Sequence, residues 1–287
     1  MTRRWWLSLA AVAATGLAVG GATLFSWTIS ETPFDRPDPG FDRLTAQVAS
    51  VPGVEVRESA RWVEAPVFLD PMSRLVLDVD EASLPAALET ACSTDYADHV
   101  AWSFRVLTDG GNAVSVHGPW EGPGGASRCP ELDVDPAGLL GPLDGVVSGL
   151  DLQAAVWDGT DGRTGRFSLL AIEDPEAPDA LLPLVAHAED LRAAAGVVGD
   201  RPVEISGSRI SALVRSGEQE RYAALLAELL GRHGVTGFYD SSDGTQTDGV
   251  DKVQVTAPES EHAAVEVALR ESGLSIADLP VRFLPES

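Results

Sequence analysis

AWSFRVLTDGGNAVSVH, residues 101–117, carries the pattern on which the fold turns. Trp102, Phe104 and Val106 alternate with Ser103 and Arg105, and after Asp109-Gly110-Gly111-Asn112 the alternation resumes with Val114 and Val116. Strand side chains point to opposite faces at a period of two, so each run presents one apolar face. The glycine-rich tetrapeptide is the turn that folds the second run back on the first. A hairpin buried on one side is the expected result.

The same phrase recurs along the chain. Leu152 to Trp157 and Phe167 to Ile172 flank the turn-rich Asp158-Gly159-Thr160-Asp161-Gly162. Val203 to Ser206 is followed by Ser211 to Arg215, and Phe238 to Asp240 by Val253 to Thr256. Between these pairs, apolar residues return at helical spacing. Tyr222, Leu225, Leu226, Leu229 and Leu230 form one stripe that ends at Gly231 or Gly234. Leu84, Leu88, Ala91 and Cys92 form another after Ser83, and Leu181, Leu184, Val185, Ala188 and Leu191 a third after Asp179. Pro85 and Pro183 fall in first turns, where a missing N–H is tolerated. Thr256-Ala257-Pro258-Glu259 reads as a capping box before Ala264, Val265, Ala268 and Leu269, with Gly273 as the stop. A short helix from Leu44 to Val51 and a weak one after Asp135-Pro136 complete the set. Gly138, Gly141, Pro142 and Gly145 oppose the latter.

Helix starts near Leu44, Leu84, Pro136, Ala180, Glu218 and Glu259 recur at about 40 residues, apart from the Pro/Gly loop between Gly118 and Pro130. One helix and two strands make the unit. The fold class expected is α+β: an N-terminal transmembrane helix, then repeated α-β-β units forming two or three small antiparallel-sheet sandwiches with helices on one face. The division expected is an anchor over residues 1–30, a Pro/Asp-rich linker over 31–43, a first α+β domain over 44–148 and a second, of related units, over 149–287.

The anchor rests on Trp5 to Ile29, which contains no charged residue and is long enough for a helix to cross hydrocarbon. Tryptophan at both ends suits the headgroup region. Arg3 and Arg4 precede the run, while Glu31, Asp35 and Asp38 follow it, an asymmetry that puts the N-terminus in the cytoplasm and the rest outside. Two other readings stay open. Gly20-Gly21-Ala22 offers small residues for cleavage of a signal peptide, and Arg3-Arg4 resembles a twin-arginine export signal. The linker carries Pro33, Pro37 and Pro39 and reads as extended chain.

Charge narrows the partners. The chain has 44 acidic and 20 basic residues, a formal charge of −24, and the first 29 residues contain no acid. Nucleic acid is excluded on this ground, and anionic headgroups are repelled. An envelope protein or a cationic ligand is the partner class this field favours, beyond the membrane met through residues 5–29. Solubility is the plainer role of the same charge. Cys92 and Cys129 are the only cysteines, and an even pair in an exported domain is read as a disulfide.

The α-β-β-α-β-β order, the stretch Leu44-Thr45-Ala46-Gln47-Val48-Ala49-Ser50-Val51-Pro52-Gly53-Val54, and Val203-Glu204-Ile205-Ser206-Gly207 resemble the BON domains of bacterial envelope proteins. The resemblance covers short stretches and implies a non-catalytic binding module.

His99, His117, His187, His233 and His262 are scattered, with no HExxH pair for zinc. His187 is expected at the boundary of a helix, and His233 at a helix end where a cation suits the carbonyl dipole. Asp240, Asp243, Asp248 and Asp251 crowd one loop, but their spacing departs from a calcium-binding loop, and Asp and Gly are what such turns need anyway. GxSxG, SxxK, GxGxxG and Walker motifs do not occur. No catalytic, cofactor-binding or metal-ligating residue is therefore assigned, and no cofactor is expected. The reading that follows is a membrane-anchored, extracytoplasmic interaction module without catalysis. A hydrolase using paired carboxylates and a structural spacer are the alternatives.

Overall fold

The computed structural model describes residues 33–64, 71–118, 129–159, 165–173, 177–242 and 248–285. Twelve strands run through them in chain order: β1 (Pro33–Asp35), β2 (Val54–Glu64), β3 (Met72–Asp80), β4 (Ala101–Leu107), β5 (Ala113–His117), β6 (Asp151–Trp157), β7 (Arg166–Ala171), β8 (Val203–Ser206), β9 (Ile210–Val214), β10 (Gly237–Ser241), β11 (Lys252–Thr256) and β12 (Val281–Phe283). Each strand pairs with the next in sequence, so the sheet is a single twelve-stranded one. The helices are α1 (Pro39–Ala49), α2 (Leu84–Cys92), α3 (Pro136–Asp144), α4 (Leu182–Ala186), α5 (Ala188–Ala194), α6 (Gln219–Arg232) and α7 (His262–Glu271).

Two or three separate antiparallel sandwiches were expected, and the pairing overturns that expectation. β2–β3, β4–β5, β6–β7, β8–β9 and β10–β11 are antiparallel hairpins, but each hairpin joins the next through a parallel pair. The physical reason is the edge each hairpin leaves open. An unpaired strand presents a row of N–H and C=O groups, and the following unit satisfies that row by adding to it instead of closing a sheet of its own. At the middle of the chain, Ala113 to Val116 pair with Asp151 to Ala154, so neither the sheet nor the core breaks near residue 148.

Register lines up a continuous apolar face across the strands. Leu75 sits beside Trp102, Leu77 beside Phe104, Phe104 beside Val116, Val116 beside Ala154, Ala154 beside Leu169, Leu169 beside Ile205 and Phe238 beside Val255. Leu84, Leu139, Leu140, Leu184, Leu191, Leu226 and Leu269 of the helices are buried against this face in the same cluster. The hairpins reverse strand direction while the helices stay on one side. Successive parallel crossovers, β3-α2-β4, β5-α3-β6 and onward, therefore alternate in hand, and the usual right-handed preference cannot hold for all five.

Local chemistry sets the helix ends. Asp38 accepts N–H bonds from Gly40 (2.6 Å) and Phe41 (3.0 Å) with Pro39 following, and Asp135 accepts one from Gly138 (3.1 Å) before Pro136. The expected capping box at Thr256 is absent: Thr256 ends β11, and a 3₁₀ turn at Glu259–Glu261 leads into α7. Gly273 (φ +64) follows α7 as the expected stop. The stripe from Leu181 to Leu191 is divided at His187 into α4 and α5. The strands β2 and β3 were not anticipated. A register shift between Val56 and Glu58 disrupts the alternation of β2, whereas β3 carries a regular Leu75, Leu77, Val79 pattern. Among the described residues no helix is long and apolar enough to cross a membrane. The expected anchor, residues 1–30, lies outside them.

Candidate interaction surface

A sheet with helices on one side has a second side, and here that side is built by the alternate residues of each strand. Arg105, Ser115, Gln153, Leu170 and Ser206 lie in register across β4 to β8, with Ser168 and Glu204 paired in a neighbouring row of the same face. Among the described residues no helix packs on this face. Extensive parallel pairing is ordinarily found where both faces of a sheet are covered.

The charges on the open face are organised. Asp35, Glu55, Glu58, Asp78, Asp80, Asp151 and Glu204 share the strands of this face with Arg57, Arg74, Arg105, Arg166, Lys252 and Arg282. Most are paired. Arg105 donates through Nε and Nη2 to Asp151 Oδ2 (3.2 and 2.8 Å) and approaches Asp78 at 3.6 Å, and Asp78 also meets Arg57 at 3.7 Å. Arg74 pairs with Glu58, Arg166 with Glu204, and Lys252 with Asp248. Asp151 first and Asp78 with it hold the Arg105 guanidinium above its ordinary pKa, against burial, which lowers it. The greater part of the chain's excess of acid lies elsewhere.

Exposed apolar side chains interrupt this face. Trp157 at the end of β6 is 51% exposed, Leu170 of β7 40%, and Ile172 just beyond β7 51%. β6 and β7 are the two middle strands of the twelve. The Arg166 guanidinium lies 5.9 Å from the Trp157 ring centroid, and Leu107 of β4 adds a further exposed side chain. A cavity of about 410 Å³ opens beside the Arg105–Asp151 pair, lined by Leu107, Thr108, Asn112, Leu150 and Glu173.

The other polar clusters hold elements together. Asp144 accepts from Thr108 Oγ1 (2.6 Å), Asn112 Nδ2 (2.7 Å) and the Gly110 N–H (2.8 Å), fastening α3 to the β4–β5 turn. Burial alone would raise its pKa, but these bonds hold it below the ordinary 3.8. Tyr222 donates to Asp240 Oδ2 at 2.8 Å inside the core. Burial pushes the Asp240 carboxyl up against the bonds from Ser242 and Tyr222, and burial with the nearby Asp240 raises the Tyr222 phenol well above its ordinary value. Arg61 donates to Tyr96 and Asp98, tying β2 to the segment after α2.

Cys92, at the end of α2, and Cys129 lie at disulfide distance with Cα atoms 4.1 Å apart. The acids of the expected turn do not converge: Asp240 bonds Tyr222, Asp248 bonds Lys252 across the turn, and Asp243 lies outside the described residues. Among the described residues no group of three His, Cys, Asp or Glu could hold a metal ion. His233 closes α6 with Nδ1 at 2.8 Å from Glu261, and His187 lies 3.6 Å from Asp190. The open face itself escaped sequence reading. Its signal was the polar half of each alternation, interrupted by the apolar Trp157, Leu170 and Ile172 at positions where a strand facing water carries polar residues. No family model matches the chain, and neither a curated protein nor a solved structure matches it.

Proposed function

We propose that this chain is an extracytoplasmic, non-catalytic interaction module of the cell envelope, delivered to the membrane by its N-terminal apolar segment, with the open sheet face as its working surface. The observation that carries the proposal is the pair of neighbouring exposed apolar side chains, Leu170 and Ile172, on an otherwise largely ion-paired face. Contiguous exposed apolar surface on a sheet marks a place where another surface packs. Arg105, standing between Asp78 and Asp151, engages both carboxylates and so favours a structural over an acid–base role for them.

Export is supported by the uncharged run from Trp5 to Ile29, by the Arg3/Arg4 against Glu31/Asp35 asymmetry, and by the cysteine pair, which suits an oxidising compartment. A reporter that is active only outside the cytoplasm, fused after Ser287, is expected to work. Activity from a cytoplasmic reporter alone overturns the placement. Native electrophoresis of detergent-solubilised membranes tests the rest: the protein is expected in a complex that Leu170→Asp dissociates. Migration as a single chain before and after the substitution sinks the reading of this face.

A further inference from the structure

We propose that Asp240 is an acid-responsive latch: uptake of a proton by this one buried carboxylate tightens the seam where α6, β10 and the connection between α7 and β12 meet.

A ring of hydrogen bonds makes the seam. Asp240, near the end of β10, accepts from the Tyr222 hydroxyl through Oδ2 (2.8 Å) and from the Ser242 N–H through Oδ1 (3.0 Å). Ser242 Oγ accepts from Arg215 Nη2 at 3.3 Å, and Arg215 Nη1 donates to Ser275 Oγ in the connection between α7 and β12. Ser275 donates its N–H (2.7 Å) and its hydroxyl (3.0 Å) to Glu218, which caps α6 one turn before Tyr222. The ring therefore leaves α6 at one residue and returns to it a turn away. Tyr222, Asp240 and Ser242 are 0%, 7% and 8% exposed.

Charge around Asp240 is sparse. Among the described residues it has no ion-pair partner. Arg215 attracts it from beyond Ser242 but gives its N–H groups to the two serines, and Glu218 across the ring has the same sign as Asp240. Lys252 lies opposite Ser241, on the other face of β10, and is held by Asp248. Burial therefore dominates and raises the carboxyl above its ordinary 3.8, against Ser242, Tyr222 and Arg215.

The chemistry of the partners sets the sign of the response. Tyr222 and Ser242 both meet Asp240 with hydroxyls, and a hydroxyl can accept as well as donate. A protonated Asp240 finds an acceptor in either one, so its bonds survive while the cost of a buried ion disappears. Asp144 behaves in the opposite way, because two of its three donors are N–H groups that cannot accept. A carboxyl raised in the fold adds stability as pH falls through the raised value toward 3.8, whereas Asp38, Asp144 and Asp248, all held low, lose theirs only below it. The two responses occupy separate ranges of pH.

Urea denaturation of the full chain from about pH 7 to about pH 4 tests the latch against Asp240→Asn, which keeps the shape of the side chain and removes its titration. Over this range the folded-to-unfolded ratio of the wild type is expected to rise at least about threefold more than that of the variant, within the limit of about tenfold per pH unit for one proton. Hydrogen-exchange protection of the α6 amides is expected to follow the same difference. Tyr222→Phe removes a donor that favours the charged form, so its rise is expected to begin at higher pH than in the wild type. Parallel pH profiles for the wild type and Asp240→Asn overturn the inference, as does a wild type that loses stability relative to the variant on acidification. Should Asp240→Asn not fold, a Tyr222→Phe profile that superimposes on the wild type overturns it equally.

Discussion

Asp144 shows how one side chain can organise two elements. Its three hydrogen bonds reach Thr108, Gly110 and Asn112, while Asn112 in turn accepts from the Leu150 N–H and donates to the Val147 carbonyl. Asp144→Asn puts an amide donor where donors already converge, and is expected to cost about 1–3 kcal/mol in urea denaturation at neutral pH. The carboxyl is held below its ordinary 3.8, so its ionised form contributes stability above that pH and loses it as pH falls through the lowered value. The difference between wild type and variant is therefore expected to shrink below pH 3.8, and a constant difference contradicts the assignment. Cys92 and Cys129, separated by 37 positions, make a second test at this scale. Cys129→Ser is expected to lower stability by about 2–4 kcal/mol, and thiol labelling of the non-reduced native protein is expected to find neither sulfur reactive. Gly53 (φ +76) matters in another way: it turns the chain from α1 into β2 beside Asp80 and Ser83, where a side chain would collide.

Among the elements, α6 bears on the sheet most directly. Tyr222, Leu225, Leu226 and Leu229 are buried along one side, and the Tyr222 ring meets Phe238 edge to face at 6.2 Å. Leu229→Ala is expected to cost about 2–5 kcal/mol by leaving a cavity, whereas Val267→Ala on the exposed side of α7 is expected to change stability by less than about 0.5 kcal/mol. Comparable losses at both positions, read by thermal melting, contradict this assignment of faces. The groove between α6 and α7, about 790 Å³, is lined by Ala224, Ala263, Ala264 and Val267 with Arg221, Glu228 and Glu271 at its sides. Small residues let these two helices approach while their charged neighbours stay in water.

The molecule as a whole has one continuous core, from Phe41 and Leu44 of α1 to Leu274 and Ile276 after α7. A single core reached through a single sheet predicts one cooperative transition. Calorimetry is expected to give equal calorimetric and van't Hoff enthalpies, and separation after residue 148 is expected to leave both parts unstable, because it exposes β5 and β6 as edges. Two independent transitions contradict the continuity.

Composition, helix phase and strand alternation lie within neighbouring residues, and these were legible. The hairpins at 101–117, 152–172, 203–215 and 238–256, the stripe of α6, the stop at Gly273 and the candidate cysteine pair all follow from local periodicity, turn chemistry and count. The parallel pairing of one hairpin with the next was not legible, because strand edges carry backbone groups that look alike in every sequence. For the same reason a chain of α-β-β units reads equally well as separate sandwiches or as one sheet. Only the tertiary arrangement put the helices of the described residues on one face, alternated the hand of the crossovers, and left Trp157, Leu170 and Ile172 exposed on the other. The sequence by itself determined which side chains prefer burial. How many units share a sheet, and which surface is left open, depended on hydrogen bonds between segments distant in the chain.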